Sequence, residues 1–145
     1  MQVVATNKKA YHNFHILEKL EAGIALKGDE IKSIRAGKAT LDAAFVKILA
    51  NEKQNPEAYL VNMVLSAAKE PDRTRKLLLH KKEIVALLTK TAQKRLTIIP
   101  LTLYLKRGKA KVEIAVARGK KLHDKREELK RRDLEREAQR ALKEF

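Results

Sequence analysis

Cysteine is missing from all 145 residues, which excludes a disulfide framework and any thiolate metal centre. That fits a reducing compartment. Aromatic residues are scarce, at 4% of a chain that is 44% hydrophobic, so its core must be built from Val, Ile, Leu and Ala. The five glycines compose neither G-x-G-x-x-G nor G-x-x-x-x-G-K-[ST], which removes the usual nucleotide-cradling loops. No apolar run approaches the roughly 18 residues that a membrane span requires. Met1 to Thr6 is a short apolar patch without a signal-peptide core. A soluble, cytoplasmic protein is expected. Acidic side chains are also in deficit, 18 against 33 Lys and Arg, for a formal net charge of +15. Such a field draws polyanions from about a Debye length away, roughly 8 Å at physiological salt. Nucleic acid is the expected partner.

The composition shifts near Gly119. Residues 118–145 carry 11 basic and 7 acidic side chains, with too few apolar residues among them to anchor a core. The expected organisation is a single body over 1–118 and a basic appendage over 119–145. Within the body, Phe14 and Ile16 alternate with polar neighbours and lead into Leu20 to Leu26, read as strands meeting a bend. Asp29 to Arg35 predicts a short helix bounded by Gly28 and Gly37, with Ile31 and Ile34 three apart. Ala44 to Leu49 and Ala58 to Leu65 are strand candidates separated by a polar turn through Asn51, Asn55 and Pro56. His80 to Arg95 predicts a helix burying Ile84, Leu87 and Leu88 on one face.

Two segments alternate most clearly. Leu101, Leu103 and Leu105 fall on one expected sheet face, as do Val112, Ile114 and Val116, and Arg107-Gly108-Lys109 reads as the hairpin turn between them. About six strands, a few helices and no βαβ rhythm argue for a mainly β, α+β body. An antiparallel barrel of the oligonucleotide-binding (OB) type with about three flanking helices fits, since closure removes exposed edges.

Little in the sequence speaks for catalysis. His12, His15, His80 and His123 are scattered, and no Cys, His or carboxylate spacing suggests a metal site. No catalytic residue, metal or cofactor is expected. Three basic clusters remain. Asn7-Lys8-Lys9-Ala10-Tyr11-His12 mixes cations with an amide and rings, groups suited to phosphate, base edges and stacked bases. Lys32 and Arg35 are neighbours on the predicted short helix, with Lys38 just beyond Gly37; on its own this is an ordinary amphipathic helix. Pro71 to His80 places Arg73, Arg75 and Lys76 before three leucines, and arginine's planar fork suits phosphate oxygens.

Taken in order, these segments resemble the small protein B family, the SsrA-binding proteins. The resemblance runs from Asn7 to about Leu129. It is carried by Asn7-Lys8-Lys9-Ala10 with His12; Glu21-Ala22-Gly23; Glu30 to Ala39; Arg73-Thr74-Arg75-Lys76-Leu77-Leu78-Leu79; and Gly119-Lys120-Lys121-Leu122-His123-Asp124-Lys125-Arg126. Any one of these arises by chance; five in this order are highly specific.

The resemblance implies an OB barrel that binds the tRNA-like portion of transfer-messenger RNA and brings it to stalled ribosomes. It implies an RNA face of Asn7, Lys8, Lys9, His12, Glu21, Arg73, Arg75, Lys76 and Leu78, to which the helix cations Lys32, Arg35 and Lys38 are added. A carboxylate on such a face repels phosphate, so Glu21 is expected to accept hydrogen bonds from a base edge or a ribose hydroxyl. The resemblance also implies a tail that is disordered when free and helical in the ribosome. There Gly119, Lys120, Lys121, His123, Asp124, Lys125 and Arg126 would meet the small subunit's decoding centre and message channel. Asp124 to Glu144 contains neither Gly nor Pro and is rich in helix formers. The free protein is expected to be a monomer with no membrane partner.

Three departures from the family pattern stand out: only Ser66 to Glu70 separate Leu65 from Pro71, Ala43-Ala44 replace a usual Asp-Ser, and Leu20 precedes Glu21 where a ring is common. A general structural or ribosome-associated RNA-binding barrel is the alternative reading, and composition fits it equally.

Overall fold

The alternating segments become strands, in the order β1 (Gln2–Thr6), α1 (Ala10–Asn13), β2 (Phe14–Ile24), α2 (Gly28–Arg35), β3 (Phe45–Ala50), β4 (Pro56–Val61), β5 (Arg75–Leu78), α3 (Lys81–Thr91), β6 (Leu96–Lys106) and β7 (Lys109–Gly119). This is a computed structural model, and it describes residues 1–92, 96–120, 130–132, 134 and 136. Among the described residues no helix is long and apolar enough to cross a membrane.

Every pairing is antiparallel. From β6 the ring passes through β3, β4, β5, β2 and β7 and returns to β6. The closing contact of β3 with β6 is narrow, Val46 opposite Ile98. β1 lies along the other stretch of β6, Gln2 opposite Leu105 through Thr6 opposite Thr102. The result is a barrel-like sheet of OB type, as the strand pattern predicts, with Ile34 of α2 and Ile84 and Leu87 of α3 joining its main core and Ala10 of α1 seated on a smaller cluster. The β6–β7 hairpin turns on Arg107 and Gly108, whose φ angles of 53° and 77° are both left-handed, as a two-residue turn matched to strand twist requires.

The core is aliphatic, as the shortage of rings dictates. Ile34, Leu60, Met63, Leu65, Leu103, Val112 and Ile114 are all fully buried, and Val116 joins them. A second, smaller cluster gathers Ala10, Ile99, Leu101, Ala115 and Ala117, with Phe14 and Ile16 against it. Two bulges account for this division. The register of β2 on β7 shifts between Ile16 and Glu18, and that of β6 on β7 shifts between Pro100 and Thr102. An extra residue in one strand re-aims its side chains. Phe14 and Ile16 therefore pack with the small cluster, while Leu20, Ala22 and Ile24 belong to the main core. Likewise Leu101 belongs to the small cluster and Leu103 and Leu105 to the main one. The expectation of one shared face for Leu101, Leu103 and Leu105 is corrected by that bulge.

Other boundaries move for local reasons. The segment from Phe14 is one continuous strand, bulged rather than bent. The candidate strand Ala58 to Leu65 stops at Val61, because Asn62 adopts a φ of 64° and Val64 then bridges to Thr40. Helix α2 spans one residue more than expected, and Gly37 follows it at a φ of 74°. In α3 Ile84 and Leu87 are buried but Leu88 is 48% exposed, so that part of the expected apolar face is corrected. The helix touches the barrel along a narrow stripe, and one further residue turns the side chain about 100° away. Strand β7 reaches Gly119, opposite Phe14, and the Lys120 N–H donates to the Asn13 carbonyl at 2.8 Å, beyond the expected body limit at 118. Lys130, Arg131, Arg132, Leu134 and Arg136 have helical backbone.

Candidate nucleic-acid interface

Strand β5 sorts the third basic cluster by parity. Arg75 and Leu77 point inward, while Lys76 and Leu78 point out. Arg75 has no exposed surface. Its Nε donates to Glu30 Oε2 at 2.7 Å, one terminal nitrogen to the Met63 carbonyl at 2.7 Å, and the other to the Glu70 and Pro71 carbonyls at 3.1 and 3.0 Å. Arg73 joins the same carboxylate, at 2.5 Å to Oε1 and 3.2 Å to Oε2. Glu30 Oε1 also accepts the Lys27 N–H at 2.8 Å, capping α2. Burial alone would raise the Glu30 pKa; hydrogen bonds from Arg73, Lys27 and Arg75 overcome it and bring it down to about 2. The expectation that Arg75 faces RNA is corrected: it ties β5 to α2 and to the short 66–70 connection. Arg73 is mostly committed to the same network, with about a quarter of its side chain exposed (26%).

The outward residues of neighbouring strands line up across the sheet. Leu78 stands opposite Gly23, Gly23 opposite Lys111, and Lys111 opposite Tyr104. Leu78 is 56% exposed. A Cβ at Gly23 would sit 3.2 Å from Leu78 Cβ and 3.6 Å from Lys111 Nζ, so these two side chains meet over the glycine. Glu21 lies two residues back along β2. Its carboxylate accepts a short hydrogen bond from the Tyr104 hydroxyl and a longer one, 3.5 Å, from Lys106. The tyrosine bond lowers the Glu21 pKa against the cost of desolvation, and the charges of Lys106 and Lys111 lower it further. Burial and that same bond push the Tyr104 hydroxyl well up. Glu21 is thus a held, ionised acceptor, with Glu113 directly opposite it on β7 and Lys19, Lys106 and Lys111 around the pair.

One more step along β2, Lys19 lies 5.5 Å from the centroid of the Tyr11 ring. Tyr11 belongs to α1, which Ala10 seats on the small cluster. Asn7 is only 6% exposed; its N–H donates to the Leu101 carbonyl at 2.8 Å and its Nδ2 to the Pro100 carbonyl at 3.0 Å. The expected outward amide is corrected: Asn7 pins the segment from inside, leaving Lys8, Lys9 and Tyr11 exposed and His12 half-buried. From Lys19 to Gly23 is about 14 Å of strand at roughly 3.4 Å per residue. The structure therefore brings Glu21, Lys76 and Leu78 to one outer face, whereas Lys8 and Lys9 line clefts with the 39–45 segment and His12 lies in α1. Lys32, Arg35 and Lys38 are exposed on and just after α2, beside the Glu30 network.

The sequence reading missed Lys19, Lys106, Lys111 and Tyr104. The available signal was alternation, since the polar partners of Val112 and Ile114 must face outward. The Gly23–Lys111 register is long-range and leaves no local trace. Of the expected tail residues, Gly119 and Lys120 belong to the barrel's end, and the Lys120 ammonium donates to the Tyr11 carbonyl at 2.8 Å. Lys121, His123, Asp124, Lys125 and Arg126 lie outside the described residues. The departures also find places. Leu20 packs against the main core, away from Glu21's side of the sheet, and Ala43 and Ala44 line a cleft with Asn7 and Lys9. The short connection is tied down by Lys69 N–H on Asp29 Oδ2 at 2.9 Å. Among the described residues no cluster of His, Asp or Glu is arranged to hold a metal.

A small OB-type barrel with lysines on its outer face around an exposed leucine and a held carboxylate defines the class: a nucleic-acid-binding barrel. A family model described as SmpB protein matches residues 4–144. The SsrA-binding protein of Carboxydothermus hydrogenoformans is 50% identical over 149 residues, covering 98% of this chain and 97% of its own. That of Nitratiruptor sp. is 51% identical over 152 residues, covering 100% and 99%. A solved chain from "tmRNA-SmpB: a journey to the center of the bacterial ribosome" superposes with a TM-score of 0.66 at 44% identity, covering 84% of this chain and 91% of that one. The chain belongs to the SmpB protein family.

Proposed function

We propose that this chain is a non-catalytic adaptor of trans-translation, which binds the tRNA-like part of transfer-messenger RNA and delivers it to stalled ribosomes. The observation that carries the reading is the strip Leu78–Gly23–Lys111–Tyr104 with Glu21 beside it, on a chain about 50% identical to SsrA-binding proteins over nearly its whole length. Lys111 on this strip, with Lys19 and Lys106 beside Glu21's end of it, supplies phosphate contacts, which give affinity without sequence preference. The exposed leucine offers an apolar seat for an unstacked base, and Glu21 accepts from a base edge or a ribose hydroxyl. The family resemblance adds the exposed N-terminal cations Lys8 and Lys9 as further phosphate contacts. The same reading makes 1–118 the RNA-holding body and 119–145 the ribosome-sensing tail, although Gly119 and Lys120 still pair with the barrel's end. A cytoplasmic location follows from ribosomal partners.

Sequencing the RNA that copurifies with the protein from its host tests the proposal. One dominant transfer-messenger RNA is expected; a broad mixture of RNAs would favour a general RNA-binding barrel instead. Competition sharpens the distinction. Only the folded tRNA-like fragment should displace bound RNA from an adaptor, whereas any RNA of equal length displaces it from a general binder. Lys111→Glu should weaken binding of the fragment, because it reverses the charge at the centre of the strip.

A further inference from the structure

Beside the strip, between the β3–β4 turn and the N-terminus of α3, lies an open groove of about 540 Å³. Its apolar walls include Pro56, Leu78 and Ile84, and Lys76, Lys81 and Asn55 stand among its polar lining. Lys76 Nζ is 3.2 Å from Glu57 Oε1, and Lys81 Nζ is 3.5 Å from Asn55 Oδ1. Glu57 is saturated by its neighbours: the Tyr59 hydroxyl donates to Oε2 at 2.6 Å and Asn51 Nδ2 to Oε1 at 3.2 Å. The groove thus presents two ammonium groups against one carboxylate already engaged by three donors. Lys76 and Leu78 are also the outward residues of β5, so the groove continues the outer face without a break.

We infer that this groove takes one unpaired nucleotide of the RNA held on the outer face, its base against Pro56 and Leu78 and its phosphate between Lys76 and Lys81. The inference rests on the RNA-binding reading above and deepens it by naming a pocket that adjoins the strip at Leu78. The volume lies within the roughly 300–1,000 Å³ usual for small-ligand pockets. Aliphatic walls suit the flat face of any base, and the ammonium pair suits a phosphate. Asn55, at the turn, is placed to meet polar edges of the base.

The test uses the full chain and the tRNA-like fragment of transfer-messenger RNA. Lys81→Glu should weaken binding about tenfold and lower the salt slope by about one, the mark of a lost phosphate contact. Lys82→Glu makes the same change in net charge one residue away, outside the groove lining, and should cost much less. An acidic residue in the first turn of α3 favours the helix dipole, so folding is spared in both variants. Benzoylphenylalanine in place of Asn55 should crosslink to a single nucleotide. Equal effects of Lys81→Glu and Lys82→Glu, with no RNA crosslink from position 55, overturn the inference. So does a crosslink from position 55 to a ribosomal protein rather than RNA when ribosomes are added. If Lys111→Glu still weakens binding in that case, the strip stands and only the groove falls; if it does not, the RNA-binding reading falls too.

Discussion

The replacement Glu30→Gln isolates the charge of one buried carboxylate while keeping its size and its acceptor for the Lys27 N–H. Glu30 is 1% exposed and receives both Arg73 and Arg75. Its pKa falls from an ordinary 4.5 to about 2 in the folded chain. A depressed carboxylate stabilises the fold above its unfolded pKa and loses that contribution as pH falls through the folded value. At about 1.4 kcal/mol per unit, a shift of this size corresponds to roughly 3 kcal/mol at neutral pH. Breaking one partner of a buried pair typically costs about 3–5 kcal/mol. The variant should therefore unfold at a markedly lower denaturant concentration at pH 7. The gap should close between pH 4.5 and pH 2, where the wild-type carboxyl takes up its proton and becomes the variant's near-equivalent. Urea unfolding followed by circular dichroism at several pH values reads this directly. A loss below about 1 kcal/mol at pH 7, or a gap that persists unchanged near pH 2, would refute the argument.

Other substitutions separate stability from binding. Gly23→Ala places a Cβ 3.2 Å from Leu78 Cβ, which no side-chain rotation moves, so the paired strands β2 and β5 must give by a few tenths of an ångström. Stability should change by no more than about 1 kcal/mol while affinity for the tRNA-like fragment drops, as thermal melts and filter binding will report. Gly108→Val forces a β-branched residue to a φ of 77°; the expected cost is about 1–2 kcal/mol by urea unfolding, and Gly108→Asn should cost much less. Removing residues from Lys121 onward leaves the Lys120 contacts with α1 in place, so fragment binding should survive while tagging of unfinished peptides in a translation extract is lost. Equal loss of both activities would contradict the division between body and tail.

The fold was legible where local pattern and tertiary packing agree. Period-2 alternation announced β7, and the Arg107-Gly108 pair announced its turn, because a left-handed turn needs residues that tolerate it. The bulges near Leu17 and Leu101 were not legible. An extra residue in a strand still looks like alternation, and only the partner's register reveals that the face has switched. Leu88 was misread for a related reason: an apolar residue next to a buried one is not itself buried when the helix rests on a narrow stripe.

The candidate site divides in the same way. Basic clusters were visible as sequence runs, but a run on a strand cannot all face one way. Strict parity in Arg75-Lys76-Leu77-Leu78 already implied that Arg75 sides with Leu77, and that charge in a core demands a buried acid. Glu30, on a helix 45 positions earlier, supplies it. Lys111, by contrast, joins the face only through pairing of β2 with β7.

That pairing also bears on what the face recognises. Were it a surface for phosphates alone, Leu78 at 56% exposure and an ionised Glu21 would both weaken it, one by wetting an aliphatic side chain and the other by repelling anions. Tyr104 and Lys106 hold that carboxylate in place, opposite Glu113 and among lysines. A held acceptor beside an exposed aliphatic group fits a nucleotide whose base and ribose are presented. Glu21→Gln should accordingly raise affinity for arbitrary RNA and lower the preference for the tRNA-like fragment. A uniform rise in affinity for both RNAs in competition binding would show that Glu21 contributes charge alone.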